Sequence, residues 1–330
     1  IGDPGGRDSE RELQPMDVIA RQTGSIRQQA ERYLDFDCGD NSAIIVNNIE
    51  WTEGLSTIDF LRDVGKHFSI NAMIQKESVR RRIEDSKQGI SYTEFSYMVL
   101  QSYDYVVLNQ KYNCSIQMGG SDQWGNITAG IDLIRRIEGK QAHAITYPLV
   151  TKSDGTKFGK SSDGGIWLDA DQTSPFSFYQ FWRNSNDDDV IRFLKIFTFL
   201  DKEALENLEF VNKKDPESRE AHTVLAQEMT HLVHGTEGLQ AAERITAAMF
   251  QNNLSDLGES EFQQLALDGM ETTRLTETTL MDALVKCGLA VTAKGEITRG
   301  QARKLIQQNS VSVNGAKETD TDRQLTKDQA

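Results

Sequence analysis

The stretch from Ser115 to Ile134 restricts the fold of this chain more than any other. Ser115-Ile116-Gln117-Met118 alternates as a strand and runs out on Gly119-Gly120. Asn126 is then placed to cap a helix whose Ile127, Ile131 and Ile134 recur at i, i+4 and i+7. Strand, glycine turn and helix in that order predict a parallel α/β layer reaching to about residue 148. Open parallel sheets bind ligands at the carboxyl ends of their strands. Gly120, Asp122 and Gln123 stand at that end. The glycines would let a ligand approach the backbone, Asp122 and Gln123 can bond ribose hydroxyls or an amino group, and the helix N-terminus favours anions. A plain strand–helix connection is the competing reading, and the segment alone weighs the two evenly.

Around this core the pattern predicts helices over 18–34, 56–64 and 69–84, and a short strand over 43–46. Ser91-Tyr92-Thr93-Glu94 is a Ser-x-x-Glu capping box, so a helix is expected from there to Leu108. Residues 151–165 read as a Gly/Ser/Asp/Lys-rich link, 177–200 and 221–250 as mostly helical, and 251–278 as a second polar stretch before a small C-terminal unit. Asp187-Asp188-Asp189 reads as a solvated helix start.

Three groups of residues can carry chemistry. Tyr97, Gln101 and Asp104 fall at i, i+4 and i+7 of the capped helix, so phenol, amide and carboxylate share one face. On this helix alone an ordinary polar surface is the stronger reading. The segment Asp154-Gly155-Thr156-Lys157-Phe158-Gly159-Lys160-Ser161 puts two lysines three apart beside glycines, a loop able to neutralise a polyphosphate. It misses the phosphate-binding Gly-x-x-x-x-Gly-Lys spacing by one residue, and a solvated lysine loop is equally compatible with it. Residues 278–317 carry a net +4, against −18 for the rest of the chain. There Arg299, Arg303 and Lys304 lie on a helix followed by Ser310-Val311-Ser312-Val313-Asn314-Gly315, a strand running into a tight turn, which suits an RNA-backbone reader.

Composition narrows the rest. The 330 residues suffice for two or three domains, and the net charge of −14 argues against indiscriminate nucleic-acid coating. No apolar run approaches the roughly 20 residues needed to span a bilayer. Three separated cysteines and five histidines without an HExxH predict neither a disulfide framework nor a protein-held metal. The chain opens at Ile1, in mid-motif and without a signal peptide, so it is expected to be a piece of a longer cytoplasmic protein.

Taken in order, Ile1-Gly2-Asp3-Pro4, the Tyr97–Gln101–Asp104 helix, the Gly119-Gly120-Ser121-Asp122-Gln123-Trp124-Gly125-Asn126 turn and the Lys157-Phe158-Gly159-Lys160-Ser161 loop resemble bacterial-type tyrosyl-tRNA synthetases. The loop is similar to the Lys-Met-Ser-Lys-Ser signature of class I synthetases. The C-terminal unit is similar to a small RNA-binding fold shared with a ribosomal protein and pseudouridine synthases. The resemblance implies an α/β, Rossmann-like class I catalytic domain over 1–148, incomplete at its N-terminus. It further implies a linker at 149–175, an α-helical anticodon-side domain at 176–250, a linker at 251–277 and a small, truncated α+β RNA-binding domain at 278–330.

It also implies roles. Tyr97, Gln101 and Asp3 would hold the amino group of L-tyrosine, Asp104 its phenol, and Gly120, Asp122 and Gln123 the ribose and carboxylate region. Lys157, Lys160 and Ser161 would close over the pyrophosphate of ATP, which brings Mg2+, with Arg7 and Arg11 as cationic helpers. Arg135 and Arg136 would touch the acceptor arm of tRNA(Tyr), and a cytoplasmic homodimer is expected. The family's His-Ile-Gly-His motif does not occur in these 330 residues, so they are expected to be a poor catalyst by themselves. The small fold is expected to stop short after Asn314-Gly315. The alternatives are a noncatalytic structured-RNA binder on a synthetase scaffold, or the related tryptophanyl enzyme. Asp104 disfavours the latter, because an indole would leave a buried carboxylate unpaired.

Overall fold

A computed structural model describes residues 2–3, 14–84, 89–153, 155, 158, 165–251, 254–275, 278–292 and 294–326. The chain divides into two compact units, Ile1–Phe158 and Gly159–Ala330.

The first unit contains α1 (Met16–Ala30), α2 (Ile49–Thr52), α3 (Thr57–Asp63), α4 (Ile70–Ile74), α5 (Glu77–Glu84), α6 (Tyr92–Tyr112), β1 (Ile116–Gly120), α7 (Trp124–Glu138) and β2 (His143–Tyr147). Helix α6 starts as its sequence predicts. The Ser91 hydroxyl accepts from the Glu94 amide at 3.2 Å, and the Glu94 carboxylate accepts from the Ser91 amide at 3.4 Å. It runs one turn past Leu108 and stops at Asn113, which takes the left-handed conformation at φ 54°. Strands β1 and β2 pair in parallel from Ile116↔His143 to Gly120↔Tyr147, joined by α7, so the predicted β–α–β layer is present.

Its core lies between α6 and α7, around Met98, Val99, Tyr105, Val106, Leu133 and Ile134. Gly130 permits this approach, since a Cβ there would come within 2.9 Å of the Tyr105 ring. The Tyr105 hydroxyl donates to the His143 carbonyl at 2.9 Å, tying α6 to the first residue of β2. Burying a ring of this size contributes about 2–3 kcal/mol.

Three expectations for this unit need correction. Residues 43–46 form no strand: an extended run needs a neighbour to pair with, and among the described residues none runs alongside. The helix predicted over 69–84 is broken into α4 and α5. Asn126 does not cap α7, which begins two residues earlier; its amide is buried and spent elsewhere, as described below.

The second unit is mostly helical: α8 (Pro175–Arg183), α9 (Asp187–Phe197), α10 (Lys202–Lys214), α11 (Glu220–Phe250) and α12 (Glu259–Leu267). Helix α11 packs along α8 and α9 and is interrupted at Gly235, whose φ of 71° and ψ of −174° only glycine adopts readily. The acidic start of α9 is not simply solvated. Asp189 is only 2% exposed, and the Asp187 carboxylate lies 3.1 Å from His222 Nε2 and 3.5 Å from Arg219. Residues 251–277, expected as a link, carry α12, which buries Leu265 beside Ile245 and Ala248 and pairs Glu261 with Arg244 at 2.6 Å.

The C-terminal part comprises β3 (Thr278–Thr279), α13 (Leu280–Lys286), α14 (Arg299–Gln307), β4 (Val311–Val313), β5 (Ala316–Glu318) and β6 (Gln324–Leu325). Asn314 and Gly315, both at positive φ, make the two-residue turn between the antiparallel β4 and β5. The fold therefore does not stop at Gly315: β5 completes the hairpin, and β6 pairs with β3. Leu280, Leu284, Ala290, Ala302 and Ile306 form its core.

Candidate amino-acid site and tRNA-facing residues

A cavity of about 450 Å³ opens beside α6. Tyr97, Gln101, Asp104 and Leu108 line one wall, as the helical spacing requires. Gln117 of β1 and Gln123 line another, and Asn48 and Trp51, at the start and within α2, line a third. The polar face of α6 thus lines an open cleft.

Asp104 is the most constrained group there. The Trp51 indole N–H donates to its Oδ1 at 2.8 Å and the Asn48 amide to its Oδ2 at 3.2 Å. Burial pushes its pKa above the ordinary aspartate value, while the Trp51 and Asn48 bonds act against that rise by favouring the ionised form. Each oxygen keeps a further lone pair for a ligand donor. A carboxylate anchored in this way can read a hydroxyl and penalises a ligand that lacks one.

At the end of β1 the side chains fold back on the backbone. A Cβ on Gly120 would come within 2.6 Å of Asp122 Oδ1, and one on Gly119 within 3.1 Å of Gln123 Cβ. The glycine pair therefore makes room for the two residues that follow it. Gln123 Nε2 donates to Asp3 Oδ2 at 2.7 Å, and the buried Asn126 amide reaches the same oxygen at 3.4 Å and Gln123 Oε1 at 3.2 Å. Asp3 thus meets the cavity through Gln123 and is not among its lining residues. Asp122 is exposed at the mouth of the turn.

The structure brings Tyr97, Gln101, Asp104 and Gln123 together, with Asp3 bonded behind Gln123 and Gly120 and Asp122 at the strand end. Lys157, Lys160, Ser161, Arg7 and Arg11 lie outside the described residues. Arg135 and Arg136, both exposed, share the Asp132 carboxylate, with Arg136 Nε at 2.6 Å. In the second unit Arg299 Nε donates to Asp282 at 2.9 Å, while Arg303 and Lys304 are exposed on α14.

Sequence reasoning missed Asn48, Trp51 and Gln117. Gln117 had a signal, a polar side chain on an apolar strand, and its Oε1 is buried with no hydrogen-bond partner. Asn48 and Trp51 had none, because they lie just before and within a four-residue helix in an otherwise irregular stretch.

A parallel β–α–β unit with a glycine-ended strand, facing a polar helix across an amino-acid-sized cavity, fits a class I aminoacyl-tRNA synthetase. A family model described as tRNA synthetases class I (W and Y) matches residues 1–251, and one described as the tyrosine–tRNA ligase SYY-like C-terminal domain matches residues 261–330. Tyrosine–tRNA ligase of Klebsiella pneumoniae (strain 342) is 52% identical over 323 residues, covering 98% of this chain and 74% of that protein. The Yersinia enterocolitica enzyme is 50% identical over 327 residues, covering 99% and 76%. A crystal structure of a C-terminally truncated Aspergillus nidulans mitochondrial tyrosyl-tRNA synthetase superposes with a TM-score of 0.62 at 29% identity, covering 75% of this chain and 73% of that one. The chain belongs to the tyrosine–tRNA ligase family.

Proposed function

We propose that the chain serves the ATP-dependent activation of L-tyrosine to tyrosyl-adenylate and the transfer of tyrosine to the 3′ end of tRNA(Tyr). The observation that carries this is Asp104, held through both oxygens at the wall of a cavity that Tyr97, Gln101 and Gln123 also line. The phenol of tyrosine donates to Asp104. Tyr97 and Gln101 accept from the ammonium group, and Asp3 supports that end by fixing Gln123. Gln123, Asp122 and the Gly120 backbone face the carboxylate and the ribose of the adenylate.

In the activation step the tyrosine carboxylate attacks the α-phosphorus of ATP, and pyrophosphate leaves. The residues act by positioning the two reactants and stabilising charge, with no covalent enzyme intermediate. Lys157, Lys160 and Ser161 are assigned to the leaving pyrophosphate, and Arg7 and Arg11 assist them. These assignments rest on the motif resemblance. Mg2+ would enter on the nucleotide's phosphates.

Arg135 and Arg136 are assigned to the tRNA acceptor arm, and Arg303 and Lys304, with Arg299 beside them, to the RNA backbone. The net +4 of residues 278–317 supports that placement. A homodimer is proposed on the family resemblance, and the exposed apolar Ile70, Ile74 and Tyr92 of the first unit are compatible with a covered face. A cytoplasmic location follows from the same resemblance; no described helix is long and apolar enough to cross a membrane. Domain limits at 148, 175, 250 and 277 are proposed as functional boundaries, with α12 as a structured part of the last connection.

Calorimetric titration tests the reading. L-tyrosine should bind, and L-phenylalanine and L-tryptophan should bind at least about tenfold more weakly, the cost of leaving Asp104 without its donor. Equal binding of all three amino acids would remove the assignment.

A further inference from the structure

The Trp51 indole has one N–H and two faces, and the structure accounts for the N–H and one face. The N–H donates to Asp104 at 2.8 Å, and the Lys111 ammonium rests over the ring, 5.7 Å from its centroid. Asp104 and Lys111 are seven residues apart on α6 and so point to the same side, with Leu108, another cavity residue, between them. The indole therefore spans two turns of α6, touching an anion at one end and a cation at the other. A cation over an aromatic face draws electron density from the ring and makes its N–H a stronger donor.

We propose that Lys111 is a specificity-determining positioning residue for Asp104, acting through the Trp51 ring. The lysine's charge, carried on the indole face, strengthens the N–H bond that aims the carboxylate at a phenol. The proposal rests on the reading that the cavity takes tyrosine. Burial works against the ionised form of Asp104, and the Trp51 bond is the larger of the two hydrogen bonds that oppose it. Lys111 itself is exposed and makes no contact with the cavity, so it can act there only through the ring. A lysine that merely covers an exposed aromatic ring would alter stability and leave ligand preference unchanged.

The experiment compares Trp51→Phe, Lys111→Gln and Lys111→Arg with the parent chain. Two readouts are used: the ratio of L-tyrosine to L-phenylalanine affinity by calorimetry, and the indole N–H resonance of Trp51 by NMR, assigned by its loss in Trp51→Phe. Trp51→Phe should lower the ratio about tenfold by removing the hydrogen bond. Lys111→Gln should lower it about threefold, with phenylalanine affinity unchanged, and should shift the indole resonance. Lys111→Arg, which keeps a cation on the ring, should restore both. An unmoved resonance in Lys111→Gln, or an unchanged ratio in a chain that binds tyrosine, overturns the proposal. If the parent binds no tyrosine, the reading of the cavity fails and the proposal falls with it, an outcome the parent titration alone identifies.

Discussion

Two long helices bury polar side chains to opposite ends. On α6, Asp104 is held by Trp51 and Asn48 from α2 and its start, and the cavity beside it is lined by Tyr97 and Gln101. On α11, His222 is fully buried with Nε2 3.1 Å from the Asp187 carboxylate, and Arg219 approaches that carboxylate at 3.5 Å. The α11 group is enclosed by the helices packed on it and turns one ring nitrogen to the exposed carboxylate of Asp187. The α6 group faces space. A polar residue on the inner side of a helix marks a site only where the chain opposite leaves room for a ligand.

The two helices should therefore fail differently when cut. Asp104→Ala should weaken tyrosine binding about 100-fold, the cost of removing a charged acceptor, and abolish the preference over phenylalanine in a competition assay, with little loss of stability. His222→Ala should do the reverse. It should cost about 2–3 kcal/mol in urea denaturation of the second unit, as a cavity remains where the buried ring was, while tyrosine affinity stays at the parent value.

Acidity separates them as well. Burial, with Arg219 nearby, holds the His222 pKa below its ordinary 6.5, against the pull of Asp187. The unfolded chain then takes up a proton before the folded one does. Its contribution to stability is complete above pH 6.5 and is lost as the pH falls below that value, a slope that should vanish in His222→Ala melts. Asp104 has the opposite sign. Its pKa is raised above 3.8, so the unfolded chain ionises first and the fold loses stability as pH rises from 3.8 through that range. Asp104→Asn should accordingly melt higher than the parent at neutral pH while losing its preference for tyrosine.

A smaller effect sharpens the contrast in backbone. Helix α6 is continuous, whereas α11 bends at Gly235, and Gly235→Ala should cost about 1–2 kcal/mol because its φ and ψ suit glycine alone. Smallest is a change away from both helices. Arg303→Ala with Lys304→Ala should lower tRNA affinity severalfold and reduce its salt dependence by about one contact's worth per phosphate lost, measured by filter binding at several salt concentrations.

The contrast also explains how much the sequence revealed. The common face of Tyr97, Gln101 and Asp104 is legible because a 3.6-residue period fixes it from the start that Ser91 and Glu94 mark. Their role as a site comes from the family resemblance, since the helix alone reads as an ordinary polar surface. The β1–α7–β2 layer and the Asn314-Gly315 turn followed from equally local rules. Asn48 and Trp51 were not legible, since their approach to Asp104 is set by packing across more than fifty residues. The strand expected over 43–46 failed for the same kind of reason: pairing is not a local property, and Ala43 bonds back to Asp35 through its amide. Asp187 and Asp188 are exposed as their charge suggests, whereas the burial of Asp189 is not legible, since it is set by the packing of α9. Asn126 looked like a cap because nothing in its neighbourhood announces Asp3.

The central claim is that Asp104 reads the hydroxyl of tyrosine from the wall of the α6 cavity. A crystal structure of the chain with L-tyrosine tests it most directly. The phenol oxygen should lie about 2.7 Å from an Asp104 oxygen, with the Trp51 N–H still on the same carboxylate and the ammonium beside Tyr97 and Gln101. A tyrosine bound with its ring pointing away from Asp104, or outside the cavity, would contradict the account.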